Sequence, residues 1–397
     1  MKRYKNAIRT LALTLGFTIV ASAQTVSSLI DEVSTSNLDA ILNEFTGEVT
    51  TTVGGNTVTI LNRVSSSGND LAADYLEEKL NSYSNLEVVS DQYSGGSLGG
   101  RNIVATQVGA TNPDDIYVIC AHYDSVTNYC ADDNATGTAA VLEAARVLSQ
   151  YCIENTIVYA LWDEEEDGLV GSNDWSGRAS NEGKNILGVI NLDMIGYDKD
   201  GNNNMPIHTN NDSVSLKDDA VDILNTHSAA IGLTPDVVNP GISASDHASF
   251  WNDGFKAIML SEAVGFGDLT PYYHTANDRV NTLHLPYFHK ICKYLMAVVA
   301  TKAGLIDNSS CSLGVESEEL DNISIYPNPT TSVLNIELPN TLGSTSLELV
   351  NAMGQMIYRQ DTTLMEIKVS TEQLSNGVYF LKIGSEKKSI VKKIIKN

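Results

Sequence analysis

Basic side chains are scarce in this sequence: 25 lysines and arginines stand against 49 aspartates and glutamates, a formal charge of −24. Such a chain repels phosphate backbones and anionic membrane surfaces, which excludes nucleic-acid binding, and the acid surplus itself reads as a solvated surface. Cysteine is sparse and irregular. The five thiols, Cys120, Cys130, Cys152, Cys292 and Cys311, fit no C-x-x-C spacing, and an odd number leaves at least one unpaired whatever the pairing. Long apolar runs are missing as well. The run Leu11 to Val20 is about half the roughly 20 residues that span a bilayer, so a permanent membrane span is excluded.

What is present begins with that short run. Lys2, Arg3, Lys5 and Arg9 precede it and Ala21-Ser22-Ala23 follow it, the order of a charged region, an apolar region and a small-residue cleavage site in a secretory signal peptide. Residues 1–23 are read as that leader, and the mature chain as secreted or held at the cell surface. With 397 residues, 42% of them hydrophobic, the chain has length for one large domain and a small one.

Residues 24–68 mix a short amphipathic stretch (Leu38, Ile41, Leu42, Phe45) with Thr and Gly, and are expected to form an N-terminal flap or a propeptide, the flap being preferred. From Asn69 the pattern becomes regular. Leu71, Leu76 and Leu80 mark a helix; Leu86 to Val89, Asn102 to Ala105, Ile116 to Ala121, Ile157 to Trp162 and Ile186 to Leu192 read as strands; Ala139 to Leu148, Asp218 to Ile231 and Leu285 to Ala303 read as helices. Continuously apolar strands suit a sheet covered on both faces. The expected fold is an α/β three-layer sandwich with a mixed, largely parallel central sheet over residues 69–306. A polar stretch without periodicity, residues 307–322, reads as a linker. Residues 323–397 carry short alternating strands and turns at Met353-Gly354 and Asn376-Gly377, the pattern of a small C-terminal β-sandwich.

Polar groups cluster where predicted strands end. His122, Tyr123 and Asp124 follow the strand ending at Ala121, Asp163 to Asp167 follow Trp162, and Asp193 follows Leu192; Asp132, Asp133 and Asn134 precede a helix, and Tyr272-Tyr273-His274-Thr275 precede Asp278. Ligands of open α/β sheets bind at the carboxyl ends of strands, so these residues are expected in one crevice. Carboxylates so gathered repel unless cations neutralise them, and the added imidazoles suit zinc. Two ions sharing one carboxylate would activate a water for amide hydrolysis, with one carboxylate left free to take its proton.

In order and spacing, His122-Tyr123-Asp124, Asp132-Asp133-Asn134, Glu165-Glu166 before Gly168-Leu169-Val170-Gly171-Ser172, Asn191-Leu192-Asp193-Met194 and Tyr273-His274-Thr275 resemble the M28 family of co-catalytic zinc exopeptidases. The resemblance covers about Asn69 to Ala303. It implies two zinc ions, one held by His122, Asp133 and Asp193, the other by Glu166 and His274, with Asp133 bridging. It further implies Glu165 as general base, Asp124 as the group orienting His122, and Tyr273, with Tyr272 as its alternative, as donor to the oxyanion. Peptides are the implied substrates. Cys130 stands where that family often has glycine. Tyr326-Pro327-Asn328-Pro329, Asn376-Gly377-Val378-Tyr379 and the lysine-rich end Lys392 to Lys396 resemble the C-terminal sorting domain of the type IX secretion system, which implies a secretion machinery as partner; an adhesive or carbohydrate-binding module has the same pattern.

The remaining candidates have plainer readings. His208, His227, His284 and His289 are expected to be structural or exposed, and His247 either lines the cleft or packs at a helix start. Asp163, Glu164 and Asp167 are expected to be solvated, and Asp198 to Asn202 to be a turn rather than a calcium loop. Three function classes remain: an aminopeptidase, whose acidic crevice suits a cationic α-amine; a carboxypeptidase or glutaminyl cyclase on the same scaffold; and a receptor-like domain without catalysis. A carboxypeptidase needs arginine for the terminal carboxylate, and the catalytic segments offer only Arg101, Arg146, Arg178 and Arg279.

Overall fold

The computed structural model describes residues 25–64, 66–94, 96, 99–262, 269–306, 323–338, 345–351, 356–385 and 388–397. The expected leader (1–23) and linker (307–322) lie outside the described residues, as does the Met353-Gly354 turn. The chain divides into two compact units, the second beginning at Asn308 apart from a short insertion.

The first unit opens with helices α1 (Val26–Glu32) and α2 (Thr35–Phe45), a hairpin of β1 (Thr51–Val53) and β2 (Asn56–Val58), and α3 (Ser66–Asn81). Leu38, Ile41, Leu42 and Phe45 recur at helical spacing and are at most 1% exposed, so α2 turns a complete apolar stripe inward. Ser34 caps α2 through its side chain, and buried Glu143 receives the Ser34 N–H and the Asn37 amide. The segment expected to be a flap or a propeptide is thus folded into the unit, because its apolar stripe requires cover.

The sheet follows: β3 (Glu87–Gln92), β4 (Arg101–Gln107), β5 (Asn112–His122), β6 (Asn155–Trp162), β7 (Asn185–Leu192), β8 (Asn204–His208), β9 (Thr234–Val238) and β10 (Ala257–Leu260), in the spatial order β3-β4-β6-β5-β7-β10-β8-β9. The pairs β5 with β6 and β7, β7 with β10, and β8 with β9 are parallel; β3 with β4, β4 with β6, and β8 with β10 are antiparallel. This is the mixed, largely parallel sheet expected. Helices α4 (Gly137–Leu148) and α9 (Leu285–Ala303) cover one face, with α1 and α2 against them. On the other face Trp175 of α5 (Val170–Asn181) and Phe250 of α8 (His247–Asn252) pack over Val118, Cys120, Val158 and Trp162. Strands covered on both faces need unbroken apolar runs, and β5 and β6 have them. The expected helix Asp218 to Ile231 is two, α6 (Val214–Thr226) and α7 (Ser228–Ile231), interrupted at His227. Cys120, Cys130 and Cys292 are free and buried, and Cys152 is disulfide-bonded. No helix among the described residues is long and apolar enough to cross a membrane.

The second unit is all β: β11 (Ser324–Tyr326), β12 (Val333–Glu337) and β15 (Glu366–Ser370) form one antiparallel sheet, and β13 (Thr345–Asn351), β14 (Met356–Thr362), β16 (Gly377–Ser385) and β17 (Lys388–Lys396) another. Alternate residues of both sheets, among them Leu334, Ile336, Leu347, Leu349, Leu381 and Ile383, share one core, the arrangement of a sandwich.

Candidate metal centre

Strands β6, β5 and β7 are parallel neighbours that end side by side, His122 closing β5 opposite Trp162 at the end of β6. Glu165 and Glu166 follow β6 and Asp193 follows β7, so their positions at one crevice come from topology. Asp133 enters from the loop before α4. Gly137, the first residue of that helix, is close-packed: a Cβ there would stand 2.6 Å from the Leu192 carbonyl oxygen, and only glycine lets the helix start so near β7.

Asp133 faces both ways. Its Oδ1 lies 3.3 Å from His122 Nε2 and its Oδ2 3.2 Å from His274 Nε2. His122 Nε2 is also 3.6 Å from Asp193 Oδ1, and His274 Nε2 is 3.4 Å from Glu166 Oε2. Two ligand sets result, His122 with Asp133 and Asp193, and Asp133 with Glu166 and His274, each with its donor atoms within 4.8 Å of one another. His122, Glu165 and Glu166 form a third such group. Donor atoms bound about 2.0–2.2 Å from a tetrahedral zinc stand roughly 3.4 Å apart, the spacing found here, and imidazole with carboxylate is a zinc donor set. Asp193 Oδ1 and Glu166 Oε1 are buried with no hydrogen-bond partner among the described residues, as expected of atoms that serve an ion. The residues therefore fit two zinc ions.

The surrounding network holds these groups in place. Asp124 accepts the N–H of Glu165 at 3.1 Å and of Glu166 at 3.2 Å, while its Oδ1 lies 3.3 Å from His122 Nδ1. Asp278 accepts the N–H groups of Asp132 and Asp133. Tyr129, Cys130, Glu164, Met194 and His274 all have positive φ; each is a candidate ligand or lies within a few residues of one, and such unfavourable backbone is retained where surrounding structure enforces it.

Negative charge is concentrated here, and little positive charge is set against it. Among the described residues, the carboxylates of Asp133, Asp193 and Glu166 have ion-pair partners only in His122 and His274. Burial opposes ionisation of Asp133, but bonds from the two imidazoles outweigh it and hold its carboxyl below the usual range. Burial raises Glu165, and burial with the Asp133 charge raises Glu166 to about 8. His122 is raised despite its burial by the carboxylates around it, and His274 is raised chiefly by its bond to Asp133. These shifts describe a pocket with an excess of negative charge.

A cavity of about 140 Å³ adjoins the cluster, with Asp133, Glu165, Glu166 and Asp193 on one side and Met194, Ile242, Ala244, Met259 and Leu269 on the other. Tyr273 is at its edge, 43% exposed, its ring stacked on His274 with centroids 3.7 Å apart. The structure thus brings together His122, Asp124, Asp133, Glu165, Glu166, Asp193, Tyr273 and His274.

Other expectations fare differently. Asp163 and Glu164 are buried, not solvated: Asp163 accepts the Arg101 N–H and the Asn69 amide, and Glu164 accepts the Tyr93 hydroxyl. The left-handed backbone at Glu164 and the bonds from Asn69, Tyr93 and Arg101 hold both carboxylates inside. His208 is buried at the end of β8, and His247 is buried as the first residue of α8. Asp198 to Asn202 close a turn through Asp200, which accepts the Asn202 N–H and amide. Sequence reasoning missed Arg63, wholly buried against the loop before Asp133, and gave no role to Asp246, whose two oxygens are buried without a geometric hydrogen bond. Both lie outside the strand-end pattern. A lone arginine amid apolar residues near the N-terminus was the only signal for the first.

Residues 102–299 match the model of peptidase family M28, and residues 324–397 that of the secretion system C-terminal sorting domain. A probable leucine aminopeptidase of Trichophyton verrucosum is 30% identical over 217 residues, 51% of this chain and 56% of that protein. A probable zinc metalloprotease of Leptosphaeria maculans is 30% identical over 206 residues, 46% of each. The chain spans about half the length of the curated relatives it matches. The LapA aminopeptidase of Legionella pneumophila has the same fold, with TM-score 0.59 and 22% identity over 70% of this chain and 74% of that one. So does a glutaminyl cyclase of Bacteroides thetaiotaomicron, with TM-score 0.54 and 18% identity over 67% of this chain and 97% of that one.

Proposed function

Since the chain belongs, through residues 102–299, to peptidase family M28, we propose that it is a secreted zinc aminopeptidase that removes apolar residues from the amino terminus of peptides. The observation that carries this is the two-sided Asp133, one oxygen toward each imidazole at 3.3 and 3.2 Å. His122, Asp133 and Asp193 would hold one zinc, and Asp133, Glu166 and His274 the other. Zinc held there would supply Lewis acidity toward the scissile carbonyl and the attacking water.

The chain's own groups do the rest. Glu165 lines the cavity and is not needed in either ligand set, so its carboxylate takes the proton of the attacking water and passes it to the leaving amine. Tyr273 donates its phenolic hydrogen to the oxyanion as the carbonyl becomes tetrahedral. Asp124 keeps His122 and the Glu165–Glu166 backbone in register with each other. Beside the cluster, the wall of Met194, Ile242, Ala244, Met259 and Leu269 accepts an apolar first side chain of the substrate. The sorting domain match supports export, with the C-terminal unit as the address read by a secretion machinery.

The carboxypeptidase alternative is disfavoured by the arginines. Arg101 is paired with Asp74, Arg146 with Glu143, Arg178 with Asp91 and Arg279 with Glu48, leaving none of the four for a terminal carboxylate. A glutaminyl cyclase on this fold remains a competing activity. Hydrolysis of a peptide offered free, N-acetylated and C-amidated decides the matter. The proposal expects acetylation alone to abolish cleavage; cleavage abolished by amidation, or cyclisation of N-terminal glutamine without hydrolysis, would overturn it.

A further inference from the structure

Ile242 forms one wall of the apolar cavity and is 37% exposed, yet its backbone is pinned from both sides. Its N–H donates to His208 Nδ1 at 3.3 Å, and its carbonyl oxygen accepts from His247 Nε2 at 2.8 Å. A backbone N–H can only donate and a carbonyl can only accept, so His208 is bare at Nδ1 and His247 carries its hydrogen on Nε2. Both rings are at most 1% exposed. Burial lowers the pKa of each to about 4, which keeps them neutral and their tautomers fixed near neutral pH.

Rigid neighbours hold the two rings in turn. His208 ends β8 and His247 begins α8, where its ring meets Trp251 edge-on with centroids 4.5 Å apart. Gly241 lies against β8: its N–H donates to the Thr209 carbonyl at 2.7 Å, and a Cβ on it would stand 2.8 Å from His208 Cβ. Glycine is required by that approach. The exposed wall residue is thus tied to a core strand on one side and a core helix on the other.

We propose that His208 and His247 are positioning residues that set the selectivity of the apolar cavity, acting through Ile242 on the first side chain of the substrate. This rests on the aminopeptidase reading. A pocket discriminates by contacts that stay in place when a smaller side chain enters, and one methylene in a rigid pocket changes kcat/KM by about 10- to 200-fold. A wall released from either imidazole yields instead, so a branched aliphatic residue loses its advantage over alanine. Neither ring touches the reacting atoms, so the loss falls on KM and not on kcat.

The test uses the zinc-loaded full chain with leucine and alanine 4-nitroanilides. His208→Leu and His247→Leu are expected to lower the leucine-over-alanine preference about tenfold, through KM for the leucine substrate, with zinc content and kcat for alanine retained. His247→Gln, whose amide hydrogen can reach the same carbonyl, and His208→Asn, whose amide oxygen can accept the same N–H, restore the preference. Ile242→Ala is a substitution at an exposed side chain, does not threaten folding, and should lose preference to a similar extent. Unchanged preference in Ile242→Ala and in whichever leucine variants fold would overturn the clamp, and so would an equal fall in kcat on both substrates. An unaltered chain that hydrolyses neither substrate would overturn the aminopeptidase reading and this inference with it; one that prefers leucine while the variants keep that preference would overturn the clamp alone.

Discussion

The Nε of Arg63 donates to the carbonyl oxygen of Tyr123 at 2.6 Å, which ties the N-terminal segment directly to the residue after His122. The rest of the guanidinium donates to the carbonyls of Phe45, Tyr129 and Cys130, and the side chain is wholly buried. A planar fork of five donors can satisfy four divergent carbonyls; a lysine ammonium cannot. Arg63→Met would strand several buried acceptors and lower the unfolding free energy by about 3 kcal/mol or more, as measured by urea denaturation. Arg63→Lys should recover only part of it.

From the same contacts we expect residues 25–64 to stay with the mature chain. N-terminal sequencing of the exported protein is expected to begin near Gln24. A mature chain beginning at or after Ser66 would show that the segment is a propeptide after all.

Two buried imidazoles should each contribute stability that is lost on mild acidification. His208 and His247 have folded pKa values near 4 against an ordinary value of 6.5. Between those values these two rings bind protons in the unfolded chain and not in the folded one, so their contribution to stability is present above 6.5 and is lost as pH falls toward 4. Each ring accounts for about 3 kcal/mol at most. Urea denaturation of the metal-free protein at pH 7 and pH 4.5 checks this: the stability of His208→Asn relative to the unaltered chain should improve on going to pH 4.5, and an unchanged difference would contradict it.

Export and catalysis should separate. The C-terminal unit has its own core, including Leu334, Leu349, Leu381 and Ile383, and every proposed catalytic residue lies in the first unit. Deleting residues 323–397 is expected to retain the enzyme inside the cell while the purified remainder keeps its specific activity. Lost activity in a folded truncated protein would give that unit a catalytic role.

Much of the sheet was legible because buried parallel strands need unbroken apolar runs, and Ile116 to Ala121, Ile157 to Trp162 and Ile186 to Leu192 have them. Their ends then indicated where His122, Glu165, Glu166 and Asp193 would gather. Helix α9 was equally plain, with Pro286 at its first turn. Less local features were hidden. The burial of Asp163 and Glu164 depends on a turn with Glu164 at positive φ, which an acidic run does not announce. Arg63, His208 and His247 bond backbone carbonyls and N–H groups, the first two far away in sequence and the third five residues back, and backbone partners leave no pattern in residue identities.

The pair Glu165 and Glu166 tests the two-zinc account most directly, because composition makes them equivalent and the geometry does not: Glu166 Oε2 lies 3.4 Å from His274 Nε2 in the same ligand set as Asp133. Glu165→Gln keeps shape and removes the base, so turnover should fall by about 100- to 10,000-fold while both zinc ions stay bound. Glu166→Gln replaces an anionic ligand with a neutral amide, so one zinc should be lost on dialysis and some activity regained at high zinc. The measurement is zinc per chain beside turnover for the two variants. The account predicts two ions with little activity for the first and one ion with zinc-restorable activity for the second; a Glu165→Gln protein that has lost zinc, or a Glu166→Gln protein that holds two tightly, would contradict it.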